Sequence, residues 1–173
     1  QGKDLFSYWT LLPLWKDLLD TGLITRRLFK DMLNTPPYRL PNAGDEGSRL
    51  VDAVPGSFFM LKPGLLTPQD IEGLFDSRIF LYYEEKVLGR KFQEMGLKTV
   101  LVTDESYVHA HSATIDKSLK RMVDKQRLLH QSKLYYYREY LHAGPALMAA
   151  AGVALDIILA EVWFLTVVCR MRG

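Results

Sequence analysis

A chain of 173 residues, 48% of them hydrophobic, is long enough for one domain with a core and too apolar for a disordered tail. Twenty-two basic against 20 acidic residues leave a net charge of +2, too balanced to argue by itself for nucleic acid, so any basic surface has to be local. One cysteine, Cys169, excludes an internal disulfide framework and a zinc cluster of cysteine type, and fits a reducing cytosol. The start at Gln1, followed by Lys3 and Asp4, carries no secretory signal, and without an initiator methionine the chain reads as part of a longer one.

From Leu5 to Leu33 apolar residues recur at helical spacing, broken by Pro13 and Gly22, which predicts two short helices. Asn34 to Ser48, with three prolines and two glycines, is a connector of extended and turn backbone. Leu50 to Leu61 reads as a strand interrupted by a bend or a close backbone approach at Pro55-Gly56. Thr67-Pro68-Gln69-Asp70 is a helix start, with Thr67 as cap and Pro68 at the first helical position. A longer helix is expected from Tyr83 or Glu84 to Met95, with Leu88, Phe92 and Met95 on one face and Gly96 as C-terminal cap.

Thr99 to Val102 is a buried-type strand that turns at Asp104-Glu105-Ser106. Ile115 to Leu141 predicts a long helix with an apolar seam at Ile115, Leu119, Met122 and Leu129. Its seven basic residues against three acidic, with Tyr135, Tyr136, Tyr137 and Tyr140 at its end, make this stretch locally basic and aromatic. After Gly144-Pro145, Ala146 to Val168 is a mostly apolar helix carrying Asp156 and Glu161. Each acid costs about 2.5 to 3.5 kcal/mol at a bilayer centre, so a packed or surface-lying helix is favoured over a spanning one. With Arg170 and Arg172 at its end and the basic helix before it, attachment to an anionic membrane face is a candidate property.

Two clusters carry candidate chemistry. Phe80-Leu81-Tyr82-Tyr83-Glu84-Glu85 sets paired carboxylates at a helix N-terminus, where the dipole favours negative charge. About 25 residues later, Tyr107-Val108-His109-Ala110-His111-Ser112 holds two histidines that alternate onto one side of an extended segment. Neutral imidazole binds Mn²⁺, whereas Mg²⁺ prefers oxygen. The plain alternatives are two solvated acids and two structural histidines.

Val51-Asp52-Ala53-Val54-Pro55-Gly56-Ser57-Phe58-Phe59-Met60, Gly73-Leu74-Phe75-Asp76, the Phe80–Glu85 run, Gly96 and His109-Ala110-His111-Ser112, in this order, resemble the C-terminal half of family 2 glycosyltransferases. The likeness is to bacterial rhamnosyltransferase-like enzymes of capsule, exopolysaccharide or O-antigen synthesis, and covers roughly Val51 to Ser118. It implies an α/β fold, the C-terminal portion of the GT-A (nucleotide-diphospho-sugar transferase) fold, with a few mixed strands flanked by helices and a helical tail. Residues 1–141 are then the acceptor-side half of a catalytic domain and 142–173 an apolar tail, packed or membrane-peripheral.

The resemblance implies inverting transfer, with Glu85 as catalytic base, a glutamate where the family has aspartate, and Glu84 orienting the acceptor or supporting Glu85. Gly56, Ser57 and Asp52 fall where the family contacts the sugars, Lys117 where a lid reaches the diphosphate, and either His109 or His111 where a divalent metal, Mn²⁺ or Mg²⁺, is held. An Asp-x-Asp metal motif and the nucleotide-cradling units that a full enzyme needs do not precede Val51. The expected partners are therefore a donor-binding half, from a longer chain or another polypeptide, a nucleotide-sugar donor and a saccharide or lipid-linked acceptor, with nucleic acid disfavoured. The expected place is the cytoplasm, at the inner face of the cell membrane. The rival reading is a non-catalytic membrane-peripheral or subunit-docking module that keeps the acceptor-side scaffold.

Overall fold

The computed structural model describes residues 7–34, 39–41, 45–79, 81–107 and 121–169. It is mixed α/β with helix predominating, and it divides into two compact units, Gln1–Leu11 with Pro36–Val108, and Leu12–Thr35 with His109–Gly173.

In the first unit β1 (Ser48–Val51) pairs antiparallel with β2 (Thr99–Val102), Ser48 facing Val102 and Val51 facing Thr99. The strand expected over Leu50–Leu61 starts earlier and stops at Val51. Beyond it the pairing passes to Trp9 and Ala53, which exchange backbone hydrogen bonds of 2.8 and 3.2 Å. Two residues later Pro55 has no N–H to continue a ladder.

Helix α4 spans Pro68–Glu72, the fourth helix in chain order after α1 (Leu14–Leu19), α2 (Leu23–Leu28) and α3 (Lys30–Leu33) of the second unit. Thr67 caps it as expected: the Asp70 amide donates to Thr67 Oγ1 at 3.2 Å while Asp70 Oδ2 accepts from the Thr67 amide at 2.8 Å. These bonds hold the exposed Asp70 carboxyl below the usual carboxylate range. Helix α5 spans Glu84–Glu94 and ends where the sequence places it, with Gly96 at φ +72° and the Leu97 amide donating to the Phe92 carbonyl at 2.8 Å.

Helix α5 buries Val87 and Leu88 with Leu74, Ile79 and Tyr83, whereas Met95 is exposed. Its approach to the segment after β1 depends on Gly89. A Cβ there would lie 2.5 Å from the Asp52 carbonyl oxygen and 2.8 Å from Ala53 Cβ, so any other residue forces the helix outward. Glu85, Gly89 and Gln93 recur every four residues and so share one helix face. Gln93 Nε2 donates to Asp52 Oδ1 at 3.1 Å, and the Leu11 amide donates to Asp52 Oδ2 at 2.8 Å.

The second unit is helical among its described residues: α1 (Leu14–Leu19), α2 (Leu23–Leu28), α3 (Lys30–Leu33), α6 (Met122–Glu139) and α7 (Pro145–Trp163), which runs on into a π turn over Phe164–Val168. The break expected at Gly22 separates α1 from α2, and a second break at Phe29 makes three short helices where two were expected. Helices α6 and α7 pack on each other, and α1 and α2 pack on α7. Ala151, Leu155, Ile158 and Val162 form the buried stripe of α7.

The buried face of α6 is not the expected apolar seam. Met122 is exposed, Ile115 and Leu119 lie outside the described residues, and the buried residues are His130, Ser132, Lys133, Tyr136 and Tyr137. The reason is Asp17 of α1. Its Oδ2 accepts from Lys133 Nζ at 2.7 Å and from Tyr137 Oη at 2.6 Å, and its carbonyl accepts from Lys133 Nζ at 3.0 Å. Asp17 is 1% exposed and Lys133 3%, so each charge is stable there through the other. Burial, with the Asp17 charge beside it, pushes the Tyr137 hydroxyl far above its ordinary value. Part of the basic, tyrosine-rich stretch is therefore core.

His130 lies in the same layer, with Nε2 3.0 Å from Gln126 Nε2. Burial and the neighbouring Lys133 charge, against a smaller opposite effect of Asp156, lower its pKa from 6.5 to about 4. The unfolded chain takes up a proton that the folded chain refuses, so stability falls as pH drops from about 6.5 to about 4. Urea unfolding at about pH 7 and pH 5 is expected to show a loss of about 1 to 2 kcal/mol, and His130→Gln to remove most of that difference. Equal pH dependence in both proteins would refute this.

Candidate functional site

The paired carboxylates of α5 point to different surroundings. Glu85, in the first turn, accepts a hydrogen bond from the Gly56 amide to Oε1 at 3.2 Å. A Cβ on Gly56 would lie 3.5 Å from that oxygen, an ordinary contact, so the close approach here is of the Gly56 backbone amide to the carboxylate. Glu84 lines a cleft of about 250 Å³ with Leu74, Phe75, Asp76, Ser77, Ile79 and Val87. Burial raises its carboxyl above the ordinary value, its own amide opposes this, the Glu85 charge adds to it, and the Leu81 amide opposes it weakly. Two adjacent acids thus have distinct environments, the pattern by which one site separates the duties of two carboxyl groups.

The chain enters this helix through left-handed backbone. Leu81, Tyr82 and Tyr83 have φ of 66°, 66° and 73°, a conformation that non-glycine residues adopt rarely and at a cost of about 1 to 3 kcal/mol each. Buried Tyr83 is the N-cap, and Lys86 sits 4.6 Å from its ring centroid. Lys91 Nζ donates to the Gly73 and Leu74 carbonyls at 2.7 and 3.2 Å, fixing the helix to the end of α4. The turn that aims Glu84 and Glu85 is held from both sides.

Beside Gly56, Ser57 Oγ and Tyr107 Oη are 2.7 Å apart, and the Phe58 and Tyr107 rings lie 5.5 Å centroid to centroid. Phe58 is 60% exposed and Tyr107 44%, so a polar pair and an apolar ring surface on the residues directly after Gly56 lie in reach of solvent. Phe58 and Tyr107 were not singled out by their residue types. The sequence signal was their direct adjacency to Ser57 and to the histidine segment.

Of the expected site residues, Glu85, Gly56 and Ser57 come together, and Glu84 opens on the neighbouring cleft. Asp52 stands one strand segment away with both carboxylate oxygens engaged by Leu11 and Gln93, so in this structure it fixes the backbone that carries Gly56. His109, His111 and Lys117 lie outside the described residues. Among the described residues no group of three His, Cys, Asp or Glu side chains is placed to hold a metal ion, and no step below runs through one.

Comparison with protein-family models, with curated proteins and with solved structures returns no match.

Proposed function

We propose that this chain supplies the general base and the acceptor side of an inverting glycosyltransferase of cell-surface polysaccharide synthesis, with the first unit belonging to the C-terminal portion of a GT-A fold. The observation that carries the reading is Glu85, aimed by a strained turn at the head of α5 and held against the Gly56 amide, beside Ser57 and the Phe58–Tyr107 rings.

The Glu85 carboxylate takes the proton of an acceptor hydroxyl as that oxygen forms its bond to the anomeric carbon of the donor sugar. The bond from that carbon to the diphosphate breaks on the opposite face, and the nucleoside diphosphate leaves with its electron pair. Configuration is therefore inverted. The Gly56 amide fixes one carboxylate oxygen and leaves the other for the proton, so the base is oriented before the acceptor arrives. Glu84, whose carboxyl burial in the neighbouring cleft raises above its ordinary value, orients the acceptor or supports Glu85. The exposed rings of Phe58 and Tyr107 offer an apolar surface to the face of a sugar, and Ser57 with the Tyr107 hydroxyl offers polar contacts to its edge.

The donor, its divalent ion, and His109, His111 and Lys117 as groups near the diphosphate belong to the same proposal, as does action at the inner membrane face on a lipid-linked acceptor. The test is transfer from a panel of nucleotide sugars to lipid-linked saccharides, with this chain joined to a donor-binding half and Mn²⁺ or Mg²⁺ supplied. The expected product has the anomeric configuration opposite to the donor's. No transfer from any donor, or retention of configuration, would overturn the reading.

A further inference from the structure

Helix α7 with its π turn, Pro145–Val168, is 24 residues long and apolar enough to cross a membrane by length and composition. A core helix of that kind is mostly buried, yet only 22% of its most apolar stretch is. At 100° per residue the buried stripe of Ala151, Leu155, Ile158 and Val162 faces one way, and Val153, Ile157 and, at the start of the π turn, Phe164 face the other, all three exposed. The two acids of the helix flank this second stripe. Glu161 Oε1 accepts from the Ile24 amide at 2.8 Å, and Asp156 is exposed at the edge of the stripe.

The bond from Ile24 also fixes what stands beside the stripe. A Cβ on Gly22 would meet Glu161 Oε2 at 3.3 Å and Ile158 Cγ1 at 3.5 Å, so α2 starts hard against α7. From there the chain exposes Ile24 at 52%, Leu28 at 72% and Met32 at 43%, with Arg27 and Lys30 exposed among them beside one exposed acid, Asp31. Apolar residues interleaved with an excess of cations, next to an apolar stripe, are the composition of a helix lying in a headgroup layer.

We infer that α2, α3 and the outer stripe of α7 form one seat for an anionic lipid surface, on which the second unit lies without spanning the bilayer. The inference is independent of glycosyl transfer and rests on the second unit alone. Interleaved cations choose the occupant: anionic headgroups complement Arg27 and Lys30, whereas a self-paired face sets like charges within its own apolar seam. Packing of the inner stripe on α6 keeps α7 from entering the bilayer on all sides.

Co-sedimentation of the 173-residue chain with phosphatidylcholine vesicles, with and without phosphatidylglycerol, tests this. Retention is expected with phosphatidylglycerol and is expected to weaken with salt. Leu28→Asp and Ile157→Asp should each lower it about tenfold. Removing two surface cations is worth about 30-fold, and Arg27→Glu with Lys30→Glu should cost at least that, while leaving the apolar face intact. Met60→Asp, at an exposed position of the first unit, should change nothing. No retention with phosphatidylglycerol, equal retention by the Leu28, Ile157 and double charge variants, or a dimer that Leu28→Asp separates with no vesicle binding would each overturn the inference.

Discussion

Asp17→Ala is expected to destabilise the second unit by about 3 to 5 kcal/mol, a large part of the stability of a unit this size. The substitution leaves Lys133, 3% exposed, with its charge in the core and without the carboxylate that lies 2.7 Å from it. Tyr137 Oη loses its acceptor in the same change. Lys133→Met is expected to cost less than Asp17→Ala, because Tyr137 still donates to the remaining carboxylate and methionine fills the stem's volume. The double variant Asp17→Leu with Lys133→Met should recover much of the loss, since a well-packed apolar pair replaces a desolvated ionic one. Urea unfolding of the three variants reads these differences. Additive losses in the double variant would show that the pair is not coupled as described.

Glu85→Gln carries the larger effect on function. The amide side chain keeps the size of glutamate and retains an oxygen for the Gly56 amide, but it cannot take a proton from an acceptor hydroxyl. Loss of a positioned general base lowers transfer about 100- to 10,000-fold, and donor affinity should hold because Glu85 lies on the acceptor side. Glu84→Gln should be milder on turnover and act more on the acceptor's KM, because the Glu84 carboxyl is already shifted toward its neutral form by burial. Equal losses in the two variants would merge the separate roles assigned to them.

What the sequence made legible was local. Thr67, Pro68 and Asp70 specify the start of α4 within four residues, Gly96 specifies the end of α5, and the Thr99–Val102 run is a strand from end to end, although with Val100 and Val102 exposed it is not the buried strand expected. Each of these signals is written in neighbouring residues and needs nothing distant to act. Glu84 and Glu85 at a helix head belong to the same kind.

The rest depends on residues far apart in the chain. Asp17 and Lys133 are separated by 116 positions, and until they meet Lys133 reads as one more solvated cation of a basic helix. That hidden pairing is why the predicted seam of α6 missed its buried face. Similarly, β1 takes its length from Val102 through Thr99 on the other strand, not from its own apolar run. Gly89 is visible as a glycine inside a helix, but its reason, a backbone carbonyl 2.5 Å from a would-be Cβ, lies 37 positions earlier at Asp52. The left-handed backbone of Leu81, Tyr82 and Tyr83 has no sequence signature, since none of the three is glycine or asparagine.

The most direct test of the central claim, that Glu85 is the base of a sugar transfer, is the transfer rate of the wild type and of Glu85→Gln with the same donor and acceptor, measured beside donor binding. The expected result is a Glu85→Gln rate about 100- to 10,000-fold lower with donor binding unchanged. A Glu85→Gln protein with the wild-type rate, or one whose loss of transfer only follows a loss of donor binding, would contradict it.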